Sequence, residues 1–285
     1  MVVSISETEI NVAVDLATRA AAVASAIINK SIEERQSAMV ETVAKTNSTD
    51  LVTMYDAQCE EEVINILKSG TPFYNILSEE TRSDVELTND PTWVVDPIDG
   101  TTSFVHGFYD CCVSIALVVN KEPILGVISA PRLQEIFTAV KGRGAFCNGQ
   151  RIFVSESTTL EESVVFVHQS YNRSQRAVDS VIAIQTELAK LPVHSLRNNG
   201  AAALDMCFVA AGRAEMYFEV NIHAWDYAAG TIIVREAGGV VHDVDDTETY
   251  DLMRHGMCCG CCKEITAKGV ELARKYDYRN AIMDL

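Results

Sequence analysis

The chain of 285 residues is 48% hydrophobic and 22% charged, which is the balance of a globular protein and excludes a disordered one. Its formal charge of −17, from 40 acidic and 23 basic residues, makes the general surface repel nucleic acid and anionic lipid, so neither is expected as a partner. An anionic substrate would need a local reversal of charge, which divalent cations bound among carboxylates supply.

The amino-terminal segment predicts neither export nor a membrane span. Residues 1–9 lack the basic start and apolar core of a signal peptide, and Asp15 and Arg19 interrupt the apolar stretch from Ala13 to Ile28. Nine cysteines in a chain without a secretion signal are expected to be reduced thiols. We therefore expect a cytoplasmic protein.

Hydrophobic spacing predicts that the first part of the chain mixes helix and sheet. Apolar residues at helical spacing predict helices over 7–30 and 50–67, separated by a polar loop from Ser31 to Lys45. Short apolar runs predict a largely antiparallel sheet, with a tight turn at Asn148-Gly149. Its strands are expected at 73–77, 93–96, 112–119, 124–130 and 135–140.

From about Ser155 the pattern changes to alternating strands and helices. We therefore divide one compact unit into an α+β half, 1–154, and an α/β half, 155–285. In the second half, strands are expected at 164–168, 215–220 and 240–244, and helices at 176–191, 201–211, 227–237 and 263–276.

Two aspartates flank a turn at the end of a predicted strand, in the segment Asp96-Pro97-Ile98-Asp99-Gly100-Thr101-Thr102. Both carboxylates can reach one ion, and the proline ends the strand and exposes the Ile98 carbonyl as a further ligand. Hard oxygen donors of this kind suit Mg²⁺. The amides of Gly100, Thr101 and Thr102 open a helical turn, where free amides and the helix dipole favour an anion such as phosphate.

Three other acidic segments are weak signals when each is taken alone. Asp226 precedes an apolar helix and is expected to be its N-cap. The adjacent carboxylates of Glu79 and Glu80 follow a predicted strand and could simply be solvated. The segment Asp50–Asp56 has the pattern of many helix starts.

Together these segments resemble the inositol monophosphatase family. Trp93–Thr102 resembles the first family signature, Ile222–Gly230 the second, Ser78–Thr81 the Gly-Glu-Glu-Ser segment, and Asp50–Asp56 the Asp-Leu-Val-Thr-x-x-Asp element. The resemblance covers nearly the whole chain. It implies an α/β (α+β) fold, a layered αβαβα sandwich of the sugar phosphatase type. It also implies Mg²⁺-dependent hydrolysis of inositol monophosphate by a metal-activated water, inhibition by Li⁺, and usually a homodimer.

The resemblance also implies roles for individual residues. Glu79, Asp96 and the Ile98 carbonyl would hold one Mg²⁺, and Asp96, Asp99 and Asp226 a second, with a third, looser ion near Glu79. The attacking water would be positioned by Glu79 and by Thr101, which Asp56 orients. Lys45 would lie on a loop that closes over the metals. The expected contacts of the phosphorylated polyol are Asp99, Gly100, Thr101, Thr102, Gly200, Ala201, Ala202, Glu219 and Asp226.

Several positions depart from the family pattern. Ala201 stands where the vertebrate-type enzymes carry a threonine beside the sugar ring, Ser103 replaces an asparagine, and Asn198-Asn199 precede Gly200. These departures leave the substrate preference open. None of them falls on an expected metal ligand.

The cluster Cys258-Cys259-Gly260-Cys261-Cys262 has overlapping Cys-x-x-Cys spacings that alone would suggest zinc or redox chemistry. No second pair or histidine cluster completes a tetrahedral site, so we expect packed structural thiols, with an oxidation-sensitive surface thiol as the alternative.

Two other functions share these motifs. A fructose-1,6-bisphosphatase or a 3′-phosphoadenosine nucleotidase would carry the same aspartates, although the chain length and extended signatures favour the inositol branch. A catalytically silent metal-binding scaffold would be expected to have lost at least one carried-over ligand, and all of them are present.

Overall fold

The computed structural model describes residues 2–34, 42–44 and 51–283. They form two larger β-sheets with helices between and outside them. The expected lid residue Lys45 and the helix start expected at Asp50 lie outside the described residues.

Two long helices open the chain. Helix α1 is Glu7–Glu34 and helix α2 is Met54–Gly70, and between them strand β1 (Val43–Ala44) pairs antiparallel with β2 (Leu51–Val52). The expected loop from Ser31 was wrong at its start, because α1 runs on and the Ser31 hydroxyl donates to the Ile28 carbonyl at 2.7 Å. The second helix begins after Thr53, whose side chain caps it.

The first large sheet has seven strands in the order β3-β4-β5-β6-β7-β8-β9. Only β3 and β4 are parallel, so the expected antiparallel character is confirmed. The turn predicted at Asn148-Gly149 joins the last two strands, which the sequence analysis did not predict. The strands are β3 (Asn75–Ser78), β4 (Thr92–Asp99), β5 (Cys112–Val119), β6 (Glu122–Ala130), β7 (Glu135–Val140), β8 (Gly144–Cys147) and β9 (Gln150–Ile152).

Helices α1 and α2 cover one face of this sheet. Ala17, Ala20, Ala21 and Ala24 of α1 are fully buried against α2 and the sheet, because small side chains let the backbones approach closely. Among the described helices α1 alone is long and apolar enough to cross a membrane by length and composition. In this fold its alanine-rich face is part of a protein core.

The second large sheet has five strands in the order β11-β10-β12-β14-β13. β10 is parallel to both β11 and β12, whereas β14 runs antiparallel to β12 and β13. The three-residue strand β11 was not predicted from the sequence. The strands are β10 (Val164–Val167), β11 (Ser195–Arg197), β12 (Met216–Val220), β13 (Val240–His242) and β14 (Gly256–Gly260).

The remaining helices complete a layered αβαβα sandwich, and the expected fold class is confirmed. Helices α5 (Ala202–Ala210) and α6 (Ala224–Glu236) are apolar on nearly all sides and lie between the two sheets. Helices α4 (Gln175–Ala189), α7 (Lys263–Lys275) and α8 (Tyr278–Met283) pack on the outer face of the second sheet.

Candidate active site

Strand β4 carries two of the expected metal ligands at its end. The sequence predicted that the strand stops at Pro97, but it continues to Asp99. The pairing with β5 shifts register between Asp96 and Asp99, so Pro97 lies in an irregularity where its missing N–H costs no ladder bond. The Ile98 amide donates to Asp96 Oδ1 at 2.9 Å, which fixes the carboxylate relative to the turn.

Gly100 turns the chain from β4 into the short helix α3 (Thr101–His106) with a φ of 85°. A Cβ on Gly100 would lie 2.6 Å from the Asp110 carbonyl oxygen and 3.0 Å from Ala201 Cβ. The glycine therefore lets the expected phosphate-binding turn pack directly against the segment that precedes α5. By helix geometry the first amides of α3 have no partner within the helix.

Asp226 enters the site from α6. Its expected role as N-cap was wrong, because His223 occupies that position and Asp226 stands three residues into the motif. Its Oδ2 accepts from the His223 amide at 2.6 Å, which orients the carboxylate and satisfies one free N–H of the helix start. The His223 ring stacks on the buried Trp225 with centroids 4.6 Å apart, so these two side chains pack against each other.

Asp96, Asp99 and Asp226 bring ligand oxygens within 4.8 Å of one another, the one such gathering of potential metal ligands among the described residues. Burial raises the pKa of Asp96 well above its usual range, and repulsion from Glu79, Asp99 and Asp226 adds to it. Burial likewise raises the pKa of Asp99 to about 7, and burial and then Asp99 raise that of Asp226. A bound cation would remove this repulsion, so the donor set fits a hard divalent metal ion.

Glu79 lies in the turn after β3, outside the group of three aspartates but close enough to Asp96 to raise its pKa. Its amide donates to the Val95 carbonyl of β4 at 3.2 Å. The next amide, of Glu80, donates to the buried carboxylate of Glu60 at 2.8 Å. Glu60, which the sequence analysis did not single out, thus anchors the turn from α2.

Asp56 and Thr101 meet as the family pattern implies. Thr101 Oγ1 lies 3.2 Å from Asp56 Oδ1 and 3.1 Å from the Ile98 carbonyl oxygen. The fully buried Asp56 is itself held by the amide and hydroxyl of Thr53, at 2.8 and 2.6 Å. The hydroxyl of Thr101 is therefore fixed between two acceptors, and the Ile98 carbonyl keeps a second lone pair for a metal.

The segment Gly200–Ala202 lies beside Gly100, as expected, and α5 begins at its end. Asp99 Oδ2 accepts from the Ala203 amide at 2.7 Å, so the start of α5 is fastened to β4. Of the three expected substrate contacts in this segment, Gly200 is exposed, whereas Ala201 and Ala202 are buried.

Glu219, the last expected substrate contact, lies on β12 and takes part in a buried polar network. Its Oε2 accepts from the Tyr217 hydroxyl and faces His168 Nδ1 at 2.9 Å. His168 Nε2 faces Asp205 Oδ2 at 2.5 Å. Neither His168 nor Asp205 was assigned a role from the sequence, where the available signals are a polar residue at the end of an apolar strand and a carboxylate within an apolar helix.

Three of the four cysteines of the cluster, Cys258, Cys259 and Cys261, are buried, and Cys262 is partly exposed. All nine cysteines of the chain are free thiols. Cys258 and Cys259 alternate along β14 into the outer and the central core, respectively. Burial raises the pKa of Cys258 and of Cys259 far above the usual thiol range, so neither forms a thiolate at neutral pH.

Carboxylates that can hold a hard metal ion, beside a glycine turn whose helix amides can bind an anion, are the groups that a metal-dependent phosphatase requires. The sequence profile of the inositol monophosphatase family matches residues 7–278. The chain is 39% identical over 242 residues to inositol monophosphatase 1 of Bos taurus, covering 84% of this chain and 86% of that protein. Inositol monophosphatase 2 of Solanum lycopersicum is 44% identical over 208 residues, covering 71% and 78%. The chain belongs to the inositol monophosphatase family.

Solved structures agree with this membership. The extragenic suppressor protein suhB of Bartonella henselae superposes with a TM-score of 0.82 at 31% identity, covering 92% of this chain and 98% of that one. The Thermotoga maritima IMPase superposes with a TM-score of 0.81 at 31% identity, covering 93% and 97%.

Proposed function

We propose that this protein hydrolyses inositol monophosphate to myo-inositol and phosphate in a Mg²⁺-dependent reaction. The observation that carries the proposal is the convergence of Asp96, Asp99 and Asp226 within 4.8 Å, directly beside Gly100. Relatives that align over most of the chain are named inositol monophosphatases, which supports the same substrate class. Carboxylates near the substrate disfavour a second unneutralised phosphate, so a monophosphate is the expected substrate.

Two to three Mg²⁺ per subunit fit the donor groups. Asp96, Asp99 and Asp226 would hold one ion, and Glu79 with Asp96 and the Ile98 carbonyl another, with a third near Glu79. Bound Mg²⁺ supplies Lewis acidity that neutralises phosphate oxygens, acidifies water and stabilises the leaving alkoxide.

The protein's own residues orient the reactants. Thr101, fixed between Asp56 and the Ile98 carbonyl, offers a hydroxyl oxygen to the attacking water, and Glu79 can accept the proton of that water. The amides of Thr101 and Thr102 at the start of α3 donate to phosphate oxygens.

The polyol hydroxyls have acceptors and donors of their own. Asp99 and Asp226 bring carboxylate oxygens within 4.8 Å of each other, and Glu219 is close enough to raise the pKa of both by repulsion. Gly200 adds exposed backbone. Hydrogen bonds to several hydroxyls favour a sugar alcohol over an apolar leaving group.

Phosphate release from inositol 1-phosphate, with Mg²⁺ or with EDTA, tests the proposal. Wild-type protein should turn over only with Mg²⁺, and Asp226→Asn should reduce the rate by ~10³-fold or more. Glu61→Gln, an exposed carboxylate on α2, is the matched control and should leave the rate unchanged.

A panel with fructose 1,6-bisphosphate and 3′-phosphoadenosine 5′-phosphate separates the related phosphatases. A higher kcat/KM for either would replace inositol monophosphate as the assigned substrate. If well-folded protein released phosphate from none of these substrates, the protein would be assigned as a metal-binding scaffold and not as an enzyme.

We extend the proposal to inhibition by Li⁺, a homodimer and a cytoplasmic location, which follow the family pattern. Millimolar LiCl in the same assay should lower the rate, whereas NaCl at equal ionic strength should not. Sedimentation at micromolar concentration should give twice the mass of 31.2 kDa. An unchanged rate or a monomer would contradict the respective extension. Imaging of the tagged chain should show diffuse cytoplasmic signal.

A further inference from the structure

His168 lies immediately after β10 and links two buried carboxylates from different elements. Its Nε2 is 2.5 Å from Asp205 Oδ2 on α5, and its Nδ1 is 2.9 Å from Glu219 Oε2 on β12. The residue is 4% exposed, and its ring also packs against the Tyr217 ring with centroids 5.2 Å apart. Water is therefore largely kept from all three charged groups.

Both ring nitrogens of His168 face carboxylate oxygens, and only an imidazolium donates from both. A neutral ring would direct one nitrogen lone pair at a carboxylate. Burial lowers the pKa of His168, but Glu219 and Asp205 outweigh it and raise the pKa well above its usual value. The cation thus compensates two buried negative charges, which would otherwise repel each other across the ring.

The two carboxylate oxygens of Glu219 differ in their contacts, which bears on how this residue could bind the substrate. Both His168 and the Tyr217 hydroxyl bind the same oxygen, Oε2. These two donors fix the carboxylate plane, and the other oxygen, Oε1, takes neither of these bonds. Glu219 raises the pKa of both Asp99 and Asp226, so this carboxylate lies beside the metal-ligand group.

On its other side, His168 is connected through Asp205 to the Gly200 segment, which is the second part of the site assigned to the polyol. Asp205 accepts from Asn199 Nδ2 at 2.8 Å, and Asn199 immediately precedes Gly200. The Asn199 carbonyl in turn accepts from Ser103 Oγ of α3 at 3.3 Å. His168 is therefore the junction that holds Glu219 and the Gly200 segment in one arrangement.

We propose that His168 is a positioning residue that determines polyol specificity, because it fixes Glu219 and the Gly200 segment for the substrate hydroxyls. The inference rests on the proposed function, since Glu219 is assigned there to the polyol. It places His168 in the recognition of the leaving group and not in the hydrolysis of the phosphate.

Steady-state kinetics on two substrates test this role. Inositol 1-phosphate has hydroxyls that Glu219 can bind, whereas p-nitrophenyl phosphate has none. In His168→Gln, whose neutral amide donates from one nitrogen only and so cannot donate on both sides, KM for inositol 1-phosphate should rise about tenfold with kcat within threefold. KM for p-nitrophenyl phosphate should change less than twofold. His194→Gln, at an exposed histidine, is the matched control and should change neither.

A double-mutant cycle then separates positioning from general damage. Glu219→Gln alone should raise KM for inositol 1-phosphate as much as His168→Gln does, and the double variant should be no worse than either. The double variant also removes one of the two carboxylates that lose their counter-charge, so it buries less uncompensated charge than the single histidine variant. Independent, multiplicative effects, or an equal rise in KM for both substrates, would overturn the inference. Wild-type protein that releases no phosphate from inositol 1-phosphate would instead overturn the proposed function.

Discussion

Asp226→Asn should change stability and activity in opposite directions. Asp226 shares a group with Asp96 and Asp99 in which ligand oxygens lie within 4.8 Å. Two unit charges at such a distance repel by roughly 3 kcal/mol at an effective dielectric constant of about 20. Protonation already relieves part of this repulsion without metal, because the pKa of all three groups is raised. We therefore expect the metal-free variant to be about 1–3 kcal/mol more stable than wild type.

The substituted side chain can keep the local structure intact. An asparagine oxygen at residue 226 can still accept from the His223 amide, and its amino group can donate to Asp96 or Asp99. The expected increase in the stability of the metal-free variant corresponds to a rise in Tm of roughly 2–4 °C per kcal/mol.

Thermal unfolding at pH 8 in EDTA and in 5–10 mM Mg²⁺, about the range for a weak metal site, provides the measurement. Mg²⁺ should raise the Tm of the wild-type protein. In EDTA the Tm of Asp226→Asn should be higher than that of wild type, and Mg²⁺ should raise it less. The variant should also release phosphate ~10³-fold more slowly. Glu61→Gln should follow wild type throughout. A variant that is less stable than wild type in EDTA, yet gains as much from Mg²⁺, would refute the electrostatic reasoning.

Three further outcomes follow from the geometry. Thr101→Val, which removes the hydroxyl held at 3.2 Å from Asp56, should lower kcat about 10²-fold with Tm nearly unchanged, and an unaltered kcat would exclude Thr101 from water positioning. Gly100→Ala should cost about 2–4 kcal/mol in urea unfolding, because φ is 85° and the new Cβ would meet the Asp110 carbonyl at 2.6 Å. In EDTA, stability should fall as pH rises from about 4 to about 7, because the folded-state pKa of Asp99, about 7, exceeds its usual 3.8 and the folded chain binds the proton more tightly. Urea midpoints at pH 5 and 8 that are equal, or rise, would contradict it.

Two strands of the first sheet were predicted with their observed limits. The expected limits at 112–119 and 135–140 match β5 and β7, since β5 is a nearly continuous apolar run that is buried throughout and β7 is a half-buried strand of mainly apolar residues. β11, with three partly or fully exposed residues, leaves none. The extension of β4 through Pro97 depended on a register shift against β5, which only the partner strand defines.

The three aspartates of the site and Glu219 were predictable from the family pattern, whereas His168, Asp205 and Glu60 were not. Asp96 and Asp99 lie in one motif, and the family pattern identified Asp226. Their grouping could therefore be predicted without knowledge of the fold. His168, Asp205 and Glu219 come from three elements, and nothing in the local sequence of any one indicates the other two. Glu60 was missed for the same reason, since it anchors a turn 20 residues further along the chain.

The amide of Ala203 donates to Asp99, and Asp226 completes the group that β4 begins, so residues on both sides of residues 153–163 build one centre. A chain cut within residues 153–163 would yield two pieces, one with Asp96 and Asp99 and the other with Asp226. Phosphate release from such a pair would report how much of the two pieces had joined, which makes the fold a scaffold for a split-enzyme sensor of protein proximity.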